Sequence, residues 1–274
     1  MSYLNRVMRR ILLIPGPVST SIKVKNSMML DYSAREPLFI NVIKNIRENL
    51  LHINKFNPKH YTSILVQGSG TFANEAVISS IPKNSKITIF SNGIYGQRLY
   101  DVAKKYDKHY KFINLEPFKQ VTADIVEESI KECSSTHIAL AHCETTSCIE
   151  NHVNDIVPIV KKYNKKIIID AISSYGGMSI INNDIDYLVG SSNKCLHGMP
   201  GLGFVIANRE SLEECRNNDE TLSLDLYSQY LDFEKEEQFR FTPPVQVLNA
   251  LDTALKELID NGGIKTRMNN YNVK

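Results

Sequence analysis

The chain has 274 residues, 42% hydrophobic and 23% charged, a composition that suits one large globular domain or one large and one small. Lysine and arginine number 32 against 30 aspartate and glutamate, a balance that gives no reason to expect nucleic acid or a membrane surface as partner. Five cysteines without metal-type spacing read as reduced thiols of a cytoplasmic enzyme, and no apolar run reaches the length of a membrane span.

Arg6, Arg9 and Arg10 precede Ile11-Leu12-Leu13-Ile14, which is too short for a signal-peptide core. Ile14-Pro15-Gly16-Pro17 is a rigid turn, so residues 1–20 are expected to form an N-terminal arm. An amphipathic helix is predicted over 37–54. From there the chain alternates. Strands are predicted at 63–66, 86–90, 111–115, 137–142, 166–170, 187–189 and 202–207, with helices at 71–81, 96–105, 122–133 and 154–163 between them. Such alternation implies parallel βαβ units and a sheet covered on both faces. The run Ile167-Ile168-Ile169 suits a strand buried on both sides. After Ala207 the alternation stops. Helices are predicted at 209–218, 222–230 and 246–258, the last ended by Gly262-Gly263, and the polar stretch beyond carries no predicted element.

The segments that carry chemistry stand at strand ends. Gln67-Gly68-Ser69-Gly70-Thr71 joins a strand to a helix, where free amides and the Ser69 and Thr71 hydroxyls favour a phosphate, although a plain strand-to-helix turn has the same pattern. It is neither a dinucleotide fingerprint nor a P-loop. In Ser91-Asn92-Gly93-Ile94-Tyr95-Gly96 the Tyr95 ring is placed to lie on a planar ligand or to remain a surface side chain. His142-Cys143-Glu144-Thr145-Thr146-Ser147 gathers polar groups after an apolar strand. Thr145 offers a hydroxyl, and His142 with Glu144 invites a metal or general-base reading, although no third ligand stands nearby. Asp170 ends its strand and serves either a ligand or the cap of a following turn. Lys194 lies 24 positions later, in Ser192-Asn193-Lys194-Cys195. It is a surface lysine or, in a partly dry pocket, an amine able to form a Schiff base.

Taken in order, these segments, with Arg35-Glu36-Pro37, Gly198-Met199-Pro200-Gly201 and Arg240-Phe241-Thr242-Pro243-Pro244, resemble the class V, fold type I pyridoxal-phosphate aminotransferases. The resemblance runs from about residue 11 to the C-terminus. It implies an α/β fold whose large domain holds a mostly parallel seven-stranded sheet with helices on both faces. Residues 21–245 are the expected cofactor-binding domain, and 246–274 the linking helix and the start of a small domain that is otherwise missing. It implies that Lys194 holds pyridoxal 5'-phosphate covalently and that Asp170 pairs with its ring nitrogen. Tyr95 then stacks on the ring, Ser69, Gly70 and Thr71 hold the phosphate, and Thr145 meets the ring hydroxyl. Thr242 reaches the cofactor of a neighbouring subunit, which implies a homodimer with composite sites. The implied substrates are a small amine and a 2-oxo acid: 2-aminoethylphosphonate and pyruvate. Glyoxylate-using aminotransferases of the same class, or a non-catalytic cofactor-binding relative, are the alternatives. The small domain of that class supplies an arginine for the substrate's acidic group, which this chain is expected to lack; Arg35 is the remaining candidate.

Overall fold

The computed structural model describes residues 11–116, 118–180, 184–218 and 220–273. Residues 1–10 of the expected arm, with Arg6, Arg9 and Arg10, lie outside them. The short helix α1 (Ile22–Asn26) starts at Ser21, whose hydroxyl accepts from the Val24 amide. Helix α2 (Pro37–Ile53) has proline in its first turn and turns Phe39, Ile43, Ile46 and Leu50 inward, one apolar stripe at helical spacing.

The alternating part follows as β1 (Tyr61–Gln67), α3 (Gly70–Ser80), β2 (Ile87–Ser91), α4 (Ile94–Lys105), β3 (His109–Asn114), α5 (Ala123–Ile130) and β4 (His137–Ala141). A two-residue hairpin, β5 (Cys143–Glu144) with β6 (Ile149–Glu150), is an addition to the expected elements. Next come α6 (Val153–Lys162), β7 (Lys166–Asp170), β8 (Tyr187–Ser191), β9 (Leu202–Asn208), α7 (Arg209–Glu213), α8 (Leu226–Glu236), α9 (Val245–Asp260) and α10 (Gly263–Asn272).

The main sheet has seven strands in the order β1-β9-β8-β7-β4-β2-β3. β8, β7, β4, β2 and β3 are parallel, while β9 runs antiparallel to both β8 and β1. Every residue of β2, β4 and β8 is buried, so both faces of the sheet are covered. Helices α3 and α4 pack side by side along it, α5 pairs with α6, and α2 packs on β1 and α9.

Three expectations at the C-terminal end are corrected. The helix expected at 209–218 stops at Glu213, and the turns that follow reach positive φ at Asn217. The helix expected at 222–230 is Leu226–Glu236, because the Asp225 side chain accepts from the Ser228 amide at 2.9 Å and fixes its start there. The polar tail is helical: α10 begins after Gly262 in the left-handed region and buries Ile264. Among the described residues no helix is long and apolar enough to cross a membrane, and all five cysteines are free thiols.

One buried cation ties this core together. The Lys108 ammonium, fully buried, donates to the carbonyls of Ile78 (3.0 Å), Ser79 (2.9 Å) and Ile81 (2.9 Å) at the end of α3 and pairs with Glu220 at 2.6 Å. Lys108→Met strips three helix-end carbonyls and one carboxylate of their partner and should cost about 3 kcal/mol in urea unfolding. A loss below about 1 kcal/mol would mean water takes the ammonium's place.

Candidate active site

The parallel register brings the strand ends to one edge. Ala141 pairs with Asp170 and Asp170 with Val189, while Ser191 and Gln67 flank the start of β9 through Gly203 and Leu202. The loops after β1, β2, β4, β7 and β8 therefore open on the same side. The chain leaves β2 for β3 on one flank and returns to β4 on the other, and such a switch point is where a doubly wound sheet takes its ligand, in a crevice beyond the strand ends.

Asp170 sits at the centre of this edge. One carboxylate oxygen accepts from the Ile172 amide at 2.9 Å and the other from the Asn74 side chain at 2.7 Å. Burial pushes its pKa up to about 6; the two hydrogen bonds and the charge of Arg98 pull it down, and Glu144 adds a smaller upward push. The bond to Ile172 is the turn-capping use left open for Asp170, and it also fixes the orientation of the carboxylate.

Around it lie the other expected residues. Ser69 is the N-cap of α3 but makes no capping bond with its side chain, so the first amides of that helix, which Gly70 and Thr71 open, are left available for an anion. Gly68 precedes it at φ +115°, a conformation that favours glycine. Gly70 lies so close to Ile172 that an added Cβ would stand 2.5 Å from its Cδ1. Tyr95 lies in the first turn of α4, and the Arg98 guanidinium stands 5.0 Å from its ring centre while donating to the Thr71 hydroxyl at 3.2 Å. Thr145 is half-buried in the β5–β6 hairpin loop.

The Glu144 carboxylate is taken up by backbone amides. It is fully buried and accepts from the amides of Tyr95 (2.9 Å), Gly96 (3.3 Å) and Thr146 (3.2 Å), filling the N-terminus of α4 and fixing the backbone of Tyr95. His142 is buried against the Ser174 hydroxyl at 2.9 Å, and burial drives its pKa down to about 4. Among the described residues no three His, Cys, Asp or Glu side chains are placed to hold a metal.

Lys194 follows β8, half-buried, with its amine 3.3 Å from the Gly16 carbonyl of the N-terminal arm. Gly16 is at φ +142°, and a Cβ there would lie 2.4 Å from the lysine's Cδ, so only glycine lets the arm pass this close. Two expected residues stand apart from this cluster. Thr242 is exposed, in a segment tied to the end of β1 by the Gln67 amide on the Phe241 carbonyl at 3.5 Å. Arg35 is exposed in the turn before α2, where its charge acts on Glu236.

Asn74 and Arg98 were not among the sequence candidates. Helical spacing points to both: Asn74 is four residues after Gly70 on α3, and Arg98 three after Tyr95 on α4, so each shares a face with a residue already singled out.

The carboxyl of Asp170 yields a pH prediction. Its pKa is about 6 folded against 3.8 unfolded, so the folded chain binds the extra proton between those values. The stability Asp170 contributes is full below pH 3.8 and is lost as the pH rises through about 6. Without ligand, the unfolding free energy of the parent minus that of Asp170→Asn should fall by about 2 kcal/mol between pH 4 and pH 7. Asn74→Ala removes a donor to the ionised form and should move that loss to higher pH. A pH-independent difference would show a solvated carboxyl.

A class-V aminotransferase family model matches residues 26–272. A 2-aminoethylphosphonate–pyruvate transaminase of Bacteroides fragilis (strain YCH46) is 42% identical over 267 residues, covering 95% of this chain and 74% of the relative. One from Bacillus cereus is 40% identical over 266 residues, covering 95% and 77%. In fold, the chain superposes on the alanine–glyoxylate aminotransferase of Nostoc sp. with a TM-score of 0.87 at 22% identity, covering 96% of this chain and 71% of that one.

Proposed function

We propose that this chain, which belongs to the class-V aminotransferase family, uses pyridoxal phosphate to transfer the amino group of 2-aminoethylphosphonate to pyruvate, giving phosphonoacetaldehyde and L-alanine. The observation that carries the reading is 42% identity, over 95% of the chain, to a transaminase named for those two substrates. The edge described above supports it with the groups such a cofactor needs.

The fit is chemical. A buried carboxylate held only by neutral donors gains most from a cation, and a protonated pyridine nitrogen is one. In this proposal Asp170 holds the ring nitrogen, and Tyr95 lies on the ring. Ser69, Gly70 and Thr71 hold the phosphate at the uncapped start of α3. Thr145 meets the ring hydroxyl, and Lys194 supplies the primary amine that binds the cofactor covalently. Thr242, exposed beside the end of β1, reaches the phosphate bound by a second copy, so the active form is a homodimer. The free thiols and absence of a spanning helix among the described residues suit a cytoplasmic setting.

When bound, the cofactor supplies an electron-withdrawing ring that takes up the pair left on the substrate carbon. The chain does the rest. Asp170 keeps the ring nitrogen protonated. Arg98 orients the Thr71 hydroxyl and offsets negative charge at the phosphate end. Lys194 would hold the cofactor through Nζ and, once freed, would be the base that takes up and returns the proton of the amine-bearing carbon of the substrate. In the second half-reaction the same nitrogen works in reverse on pyruvate.

The purified chain loaded with pyridoxal phosphate should absorb in the visible and lose that band on adding 2-aminoethylphosphonate; pyruvate should then restore it and yield alanine. Lys194→Ala should lower turnover about a thousandfold. A band that ignores this amine but fades with serine or alanine, regenerated by glyoxylate, refutes the substrate assignment.

A further inference from the structure

Helix α10 packs against the turn that carries Lys194. The Arg267 side chain donates through Nη1 to the Cys195 carbonyl, one peptide beyond the lysine. Four residues on, the Tyr271 hydroxyl meets the His197 ring at Nε2, 2.8 Å away. Residues at i and i+4 share one helix face, so both grips come from a single side of α10. The turn they hold is short and closed. The His197 amide donates to the Lys194 carbonyl at 2.9 Å, His197 is left-handed at φ +62°, and the Gly198 amide donates to the Ser192 carbonyl at 2.8 Å. Underneath, the Cys195 thiol donates to the Ser173 carbonyl at 3.2 Å, three residues past Asp170. A Cβ on Gly177 would stand 2.6 Å from the Cys195 sulfur and 3.0 Å from the Tyr271 ring, so the three are in close packing.

We propose that Arg267 and Tyr271 are positioning residues for Lys194: from α10 they clamp the outer side of the Lys194–His197 turn and fix the backbone from which the lysine reaches the cofactor. The inference rests on the assignment of Lys194 as the cofactor-binding amine. The Tyr271 hydroxyl and His197 Nε2 share one hydrogen bond, whose direction is set by the ring tautomer. Burial and the nearby charge of Arg267 lower the His197 pKa to about 4, which leaves its ring neutral at pH 7, while burial raises that of Tyr271 and keeps its proton in place. The guanidinium contributes a directed donor to the Cys195 carbonyl. A turn held at both ends keeps the amine in a narrow range of positions, and a shift of about 1 Å in such a group is worth up to a hundredfold in rate.

The test measures capture of the cofactor rather than turnover. Full-length parent, Arg267→Ala, Arg267→Lys and Tyr271→Phe are mixed with pyridoxal phosphate, quenched with borohydride at timed intervals, and the label on Lys194 is quantified by peptide mass spectrometry. Amide hydrogen exchange of residues 195–198 is followed without cofactor. Arg267→Ala should slow labelling about tenfold and speed exchange of those amides, Tyr271→Phe should do both to a smaller degree, and Arg267→Lys, which keeps a donor for the Cys195 carbonyl, should recover most of the rate. Tyr271→Phe removes one hydroxyl and keeps the ring packed, so it reports even if Arg267→Ala fails to fold. Variants that label and exchange at the parental rate overturn the clamp and leave the proposed function standing. A parent that takes no label at Lys194 overturns both.

Discussion

Asp170 is ionisable, buried, and held in place by an amide proton and an asparagine rather than by a cation. That arrangement is unfavourable for the fold and favourable for a ligand. Taking the carboxylate out of water costs more than its two hydrogen bonds return, which is why its proton affinity rises. A positively charged group docked against it would recover the difference. Asn74 and Ile172 leave the carboxylate one orientation, and a group so held loses little entropy when the ligand arrives.

The loops that meet around Asp170 brace one another. Ile172, two residues past it, packs against Gly70, so the loop after β7 supports the one after β1. Glu144, in the hairpin after β4, caps α4 and so fixes the segment after β2 that carries Tyr95. Arg98 returns from α4 to the Thr71 hydroxyl at the start of α3. The arm crosses Lys194 at Gly16, with the Val18 amide on the Asn193 carbonyl at 3.4 Å. Contacts between neighbouring loops of this kind place several side chains at once without demanding rigidity from any single loop.

Much of this was legible in the sequence, for physical reasons. Buried parallel strands read as continuous apolar runs, and Ile167-Ile168-Ile169 fell where expected. The strand-end clusters were visible because polar residues directly after such runs sit at a sheet edge. What escaped depended on contacts the sequence does not display. The start of α8 was set by one capping carboxylate, Asp225. Helix α10 has a single buried apolar residue, Ile264, too little to register as a periodic face. The direction of β9 was implicit in the short span from Ser191 to Leu202, which cannot hold the crossover helix a parallel neighbour requires. Glu144 looked like chemistry because its polar neighbours did. Its role as a cap appeared only once α4 was seen to point its first amides at it.

The pairing of β1 with β9 has a consequence for how the molecule comes together. Tyr61 lies opposite Asn208, about 150 residues away along the chain, and among the described residues β9 is the only strand beside β1 in the sheet. The glycine turn that opens α3 hangs from β1, so it gains its final position only after β9 has closed onto both of its neighbours. During synthesis the first strand must wait, unpaired, while the intervening units form, and loop closure of that length makes its docking a late and slow event. Assembly of the β1 end of this edge, with the start of α3, is thus a last step of folding, whereas the β2–β4 side can form locally and early.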